Sequence, residues 1–252
     1  GAEVDALQVG DIVFGPIPHQ TDAVADQGRF TKLPVGLDPK LGIFLMNVRT
    51  TYNGTLDANI HLGETVVIFG QGVLGQLLAQ EARMSGAGKV IVVDPVPERL
   101  QVSLILGADV ALDPRKDNVA RAVRQLTGNR GADIVIEVSG TYPGLQEAIR
   151  TVAPRGTVVA MGFYQGAGSL GLGAEFHHNW VDIKCSQAGS INPALSHRWS
   201  PRRLSEAAAN LLPRLQLAPL ITQIFDFQQA PEAYALIDTQ PEKVLQVVLG
   251  YA

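Results

Sequence analysis

The sequence predicts an α/β protein built on a doubly wound parallel sheet, with a partial second lobe formed from the two chain ends. Three observations lead there. Strand-length runs of β-branched and apolar residues alternate with helix-like stretches through the middle of the chain. The connections between them are short, as right-handed β-α crossovers require. The first apolar run passes directly into a glycine-rich turn that opens a helix.

Taken in order, TVVIF (65–69) has the composition of a strand covered on both faces. QLLAQEARMSGA (76–87) follows as a helix, with Leu74, Leu77, Leu78 and Ala82 near a 3.6-residue period. KVIVVD (89–94) is the second strand. PERLQVSLILGA (97–108) is a helix with proline in its first turn. DVALDP (109–114) is a short strand, and NVARAVRQLTG (118–128) an amphipathic helix stopped by glycine. ADIVIEVSG (132–140), GLQEAIRTVA (144–153) and GTVVAMG (156–162) read as strand, helix and strand, and VDIKCSQAGS (181–190) as a sixth strand. The ends differ. Short β-like pieces broken by Gly and Pro fill 1–43. Residues 191–252 give a polar turn, a helix over 203–215, the strand-like LITQIFDF, a helix from about Pro231 and a closing strand VLQVVLGY. The expected division is therefore 1–46, 47–190 and 191–252, the outer two forming one lobe.

The turn GQGVLG places Gly70, Gly72 and Gly75 in G-x-G-x-x-G spacing, with Gln71, Val73 and Leu74 between them. The three glycines serve three physical ends. The first permits a tight strand-to-helix turn, the second close backbone approach to a pyrophosphate, and the third close packing of helix on strand. The helix N-terminus offers unpaired N–H groups to the phosphates. Asp94 ends the next strand, where a carboxylate accepts both ribose hydroxyls of an adenosine and repels a 2′-phosphate. NAD is thus expected ahead of NADP, a preference that the nearby Arg99 softens. FAD and S-adenosylmethionine sites share parts of this pattern, and glycines in such a turn can serve packing alone. Ligands in this architecture sit at the carboxyl ends of the strands. That rule brings Val138, Ser139, Gly140, Met161, Gly162 and Phe163 to the same crevice.

Composition narrows the classes. The 252 residues are 46% hydrophobic and 17% charged, with net charge −4, so there is no basic surplus for nucleic acid. The lone Cys185 leaves no internal disulfide or multi-cysteine zinc site and reads as a small core residue. No apolar run approaches the roughly 20 residues that span a bilayer, and no signal peptide is visible, so a cytoplasmic location is expected.

Among polar candidates, His177 and His178 lie beside Glu175 in EFHHNW. Adjacent histidines on a strand face opposite ways, which disfavours a shared metal and leaves a structural loop or a proton-shuttling role. His19 and His61 read as structural or surface residues. His197, Arg198, Trp199, Arg202 and Arg203 form a basic patch, read as a solvated helix start or an anion or partner contact. Tyr52 and Asn53 are expected to begin the helix before the first central strand, Tyr52 either packing or donating a proton.

The order of EVDALQVGDIVFG, KLPVGLDP, TTYNGTLDANIHLGETVVIFGQGVLG, LGADVALDP, GADIVIEVSG, PRGTVVAMG and the C-terminal PLITQIFDFQQAPEAYALI resembles the medium-chain dehydrogenases/reductases, and among them the zinc-type alcohol and threonine dehydrogenase-like proteins. The resemblance implies a Rossmann domain paired with a GroES-like lobe, hydride transfer between NAD(P) and an alcohol or carbonyl, and a homodimer joined near 181–190. It further implies that Gly70 to Gly75 cradle the pyrophosphate and Asp94 holds the ribose. Val138, Met161 to Phe163 and the backbone near Gln187 would line the nicotinamide end, with Thr50 behind the ring.

This sequence also departs from the family. The family's first two zinc ligands precede the EV…VGD landmark, at which this sequence begins, and the third falls near FLMNV, where Met46 stands. A thioether is a poor zinc ligand. The basic residue near the last strand is replaced by Gln246, with Lys243 nearby. The expectation is an NAD-preferring, zinc-free oxidoreductase with catalytic candidates Thr50, Tyr52 and His177. The alternatives are a fragment of a longer zinc enzyme and an NAD(P)-binding protein without turnover, a sensor or truncated pseudoenzyme.

Overall fold

Residues 3–251 are described by the computed structural model; residues 1, 2 and 252 of the two predicted end segments lie outside them. In chain order the elements are β1 (Val13–Phe14), β2 (Thr31–Lys32), α1 (Pro39–Gly42), α2 (Leu45–Ala58), β3 (Thr65–Phe69), α3 (Val73–Met84), β4 (Lys89–Val93), α4 (Pro97–Ile105), β5 (Val110–Leu112), α5 (Val119–Leu126), β6 (Ala132–Glu137), α6 (Tyr142–Thr151), β7 (Val152–Ala160), β8 (Asp182–Cys185), α7 (Pro201–Leu211), β9 (Ile221–Asp226), α8 (Ala230–Thr239) and β10 (Gln246–Gly250).

The described residues divide into two compact units, one spanning 49–204 and the other joining the residues up to 48 with those from 205 onward. The first unit holds a six-stranded sheet in the order β5-β4-β3-β6-β7-β8, every pairing parallel. The chain builds outward from β3 to β5, then returns to β6 and builds the other way. Phe69 and Glu137 are register partners at the carboxyl ends of β3 and β6, so the crevice opens at this reversal.

Alternation along β3 explains its uninterrupted apolar run. Val66 and Ile68 pack with Leu78, Ala82 and Val90 on one face; Val67 and Phe69 pack with Ile91, Val123 and Leu145 on the other. Helices cover both faces, and at about 25 cal/mol per Å² of apolar surface the burial of these strands is the main stabilising contribution.

Three expectations are corrected. Tyr52 and Asn53 lie inside α2, which starts at Leu45, because nothing in LMNVRTT breaks a helix. Cys185 is exposed, because β8 is the sheet edge and most of its residues are uncovered. His177 and His178 sit in a helical turn continuing from a π-turn over Leu172–Phe176, not in extended chain, and both are exposed.

In the second unit, β1 pairs antiparallel with β2 and β10 parallel with β9. Phe227 and Tyr251 stack there with ring centroids 4.6 Å apart. Among the described residues no helix is long and apolar enough to cross a membrane.

Candidate cofactor site

The three glycines of the turn do three different things. Gly70 directly follows β3 with φ +90°, and a Cβ there would lie 2.7 Å from the Ser139 nitrogen. Gly75 lies in the first turn of α3, where a Cβ would run into the Gly70 carbonyl. Gly72 caps α3 in extended conformation (φ −68°, ψ −173°), and a Cβ there would point into open space. That empty volume fronts the first, unpaired N–H groups of α3.

The turn is held from behind. Gln71 is fully buried and donates to the carbonyls of Ile68 (3.3 Å) and Gly70 (3.0 Å). The Ser103 hydroxyl reaches the side-chain oxygens of Gln71 (3.0 Å) and Gln76 (3.1 Å), and Gln76 donates to the Arg99 carbonyl at 2.9 Å. The Gln71 side chain therefore braces the turn from the core; its backbone is the part near the crevice.

Asp94, directly after β4, is only 4% exposed. One carboxylate oxygen accepts from the Gln71 N–H at 2.7 Å and the other from the Val96 N–H at 2.8 Å. Arg99 Nη1 lies 4.0 Å from the first oxygen. Gly70, Gly72, Asp94, Arg99, Val138 and Ser139 line one cavity of about 510 Å³.

Beyond β6 and β7 the backbones close on each other. The Met161 and Gly162 N–H groups donate to the Glu137 carbonyl at 2.8 and 3.2 Å. A Cβ on Gly162 would collide with Gly140. Phe163 is 85% exposed, although its backbone packs on Gly140. The Met161 thioether packs over Gly54 of α2, where a side chain would have to displace it. After β8, the Gln187 carbonyl accepts from the Asn53 amide at 3.3 Å, and Asp57 takes the amides of Asn53 (3.4 Å) and Asn192 (2.9 Å). Ser186 Oγ is buried there without a hydrogen-bond partner among the described residues.

The predicted catalytic candidates lie on two elements, Thr50 and Tyr52 on α2 and His177 on the turn before β8. Thr50 is half-buried on α2. The Tyr52 ring packs 5.5 Å from Trp199, whose other neighbour is the Arg203 guanidinium at 4.4 Å. That stack accounts for part of the basic patch. His177 meets His178 edge-on at 5.6 Å on an exposed turn.

Residues 73–200 match the family model described as zinc-binding dehydrogenase. Over 98% of its length the chain is also 34% identical to D-guloside 3-dehydrogenase of Escherichia coli K12, spanning 73% of that protein. The chain belongs to the zinc-binding dehydrogenase family. Within it, alcohol dehydrogenase TADH from Thermus sp. ATN1 superposes with a TM-score of 0.75 at 28% identity, covering 88% of this chain and 61% of that one. A protein from Sinorhizobium meliloti 1021 solved bound to NADP gives 0.70 at 25% identity, covering 82% of this chain and 58% of its own. This sequence thus spans about three fifths of those two structures. The match makes the chain a medium-chain dehydrogenase/reductase with a Rossmann sheet.

Among the described residues of this zinc-binding dehydrogenase, no group of three His, Cys, Asp or Glu side chains is placed to hold a metal ion. The described residues do not by themselves fit a zinc site. Sequence reading missed Glu137, whose carboxylate accepts from the Tyr164 hydroxyl, and the Asn53–Asp57–Asn192 cluster. A glutamate closing the apolar run IVI (134–136) was the available signal, since a buried charge needs hydrogen-bond partners.

Proposed function

We propose that this chain is an oxidoreductase that transfers hydride between a nicotinamide cofactor, NAD(H) ahead of NADP(H), and an alcohol or carbonyl on a small molecule. The observation that carries this reading is the pairing of Gly72's open face with the Asp94 carboxylate in one cavity. A pyrophosphate needs bare backbone at a helix N-terminus, and the extended Gly72 supplies it. Each Asp94 oxygen accepts one backbone N–H, which leaves both with capacity for a ribose hydroxyl, and their charge opposes a 2′-phosphate. Arg99 offsets part of that charge.

On this reading the Gly70 to Gly75 backbone, with Val73 and Leu74 in the first turn of α3, holds the pyrophosphate. Asp94 and Arg99 hold the adenosine ribose. Val138, Ser139, the backbone of Met161 to Phe163 and the Gln187 turn orient the nicotinamide, where the buried Ser186 hydroxyl offers a further polar group. The bound cofactor supplies the hydride chemistry; the chain binds, orients and excludes water. The residues of the second unit serve as part of a GroES-like lobe, and the uncovered edge of β8 as a homodimer surface.

The test is titration of the purified protein with NADH and then NADPH, followed by nicotinamide fluorescence with metal content assayed on the same sample. Tighter NADH binding and turnover of an alcohol or carbonyl panel are expected. NADH binding with no turnover would favour a sensor or pseudoenzyme, and binding of neither nucleotide would overturn the cofactor assignment.

A further inference from the structure

We propose that Tyr164 is a positioning residue: through its hydrogen bond to the buried Glu137 carboxylate it sets the loop after β7, and with it the nicotinamide half of the cofactor site. This rests on the reading that the crevice takes NAD(H).

Glu137 is the last residue of β6 and is fully buried. Its two oxygens divide their work. One accepts from the N–H of Ser139 at 2.9 Å and also from the Ser139 hydroxyl; the other accepts from the Tyr164 hydroxyl. Ser139 lines the cavity, whereas Tyr164 belongs to the loop that leaves β7. A carboxylate taken out of water needs its lone pairs filled, so both grips are held firmly. Burial, reinforced by Glu137, pushes the Tyr164 phenol above its ordinary value, which keeps it a proton donor. The loop backbone rests directly on the same group: a Cβ on Gly162 would lie 3.0 Å from the carboxylate oxygen that Tyr164 holds.

The segment that follows, QGAGSLG (165–171), has few side chains with which to anchor itself. Its fixed points lie on or beside α6. The Tyr164 ring packs 5.5 Å from Tyr142, the Tyr142 hydroxyl donates to the Gly166 carbonyl at 3.2 Å, and Gln146 accepts from the Gly171 N–H at 2.6 Å. Losing the Tyr164 hydroxyl loosens the side of the crevice at the end of β7. The adenosine side, built on β3 and β4 by Gly70, Gly72 and Asp94, keeps all its contacts.

The experiment compares the intact chain with Tyr164→Phe and Glu137→Gln, measuring affinity for 5′-AMP and for NADH alongside the thermal midpoint. For Tyr164→Phe the expected result is unchanged 5′-AMP affinity and NADH binding weakened about tenfold, the scale of one hydrogen bond to a charged group. Glu137→Gln keeps the shape but turns an N–H toward a donor, and the same split is expected. Unchanged NADH affinity in Tyr164→Phe overturns the proposal, as does an equal loss for both ligands, which would mark a structural role only. If the unaltered chain binds neither 5′-AMP nor NADH, the nucleotide reading itself has failed and the positioning role falls with it.

Discussion

Thr51 on α2 donates its hydroxyl to the Glu81 carboxylate of α3 across 2.7 Å, and Thr55 reaches the other oxygen at 2.8 Å. Glu81 is only 3% exposed, and burial outweighs the two hydroxyls to push its pKa from 4.5 up to about 8. Between those values the folded chain holds a proton that the unfolded chain has released. The contribution to stability is therefore fully present below 4.5 and is lost as pH rises toward 8, with a slope of about 1.4 kcal/mol per pH unit. Glu81→Gln should flatten that slope and leave the variant more stable than the parent above pH 8. Thermal midpoints of both proteins across this range check it; parallel curves would refute the assignment.

Gly72→Ala separates folding from binding. Its backbone lies where any residue fits, and the added methyl enters open space. Stability should hold or rise by about 0.4–1 kcal/mol, since the unfolded chain loses freedom. NADH affinity should fall by about tenfold or more, because the methyl occupies the place a pyrophosphate needs. Denaturation and fluorescence titration of one sample give both numbers.

Gly75→Ala should behave in the opposite way. Alanine is the better helix former by about 1 kcal/mol. Here, however, its methyl meets the Gly70 carbonyl, which belongs to backbone fixed by β3 and Ser139. A net loss of about 1–3 kcal/mol is expected, as for other overpacked sites, and a lowered thermal midpoint without ligand would register it.

Asp94→Asn keeps an oxygen for one backbone N–H and removes the negative charge. The NADH-to-NADPH affinity ratio should shift toward NADPH by about tenfold, with Arg99 then relieved of its acidic neighbour. An unchanged ratio would mean that the preference is set elsewhere in the cavity.

Much of the central unit is legible in the sequence because each layer leaves a separate mark. Strands covered on both faces have to be apolar throughout, and the turn at Gly70 to Gly75 needs glycine for three different steric reasons. The residues that composition does not place are those whose role depends on distant partners. Gln71 sits in the middle of the cofactor motif, yet its side chain turns inward to Ser103. Tyr52 looks available for chemistry until Trp199, far along the chain, packs on it. Cys185 looks buried because strand composition does not say which strand is the edge. Glu137 is easily taken as part of an apolar run, although its charge alone requires partners from two loops.

Cys185 is the sole cysteine of the sequence, exposed at the end of β8, where it is the register partner of Ala160, the last residue of β7. On the unassembled chain a maleimide dye therefore attaches at one place only, at the end of the edge strand β8 where the loop leaves β7, and burial of that edge in a homodimer would block it. Labelled this way, the chain becomes its own optical sensor. Emission that changes on adding NADH but not 5′-AMP would watch that loop directly, without a substitution anywhere in the sequence.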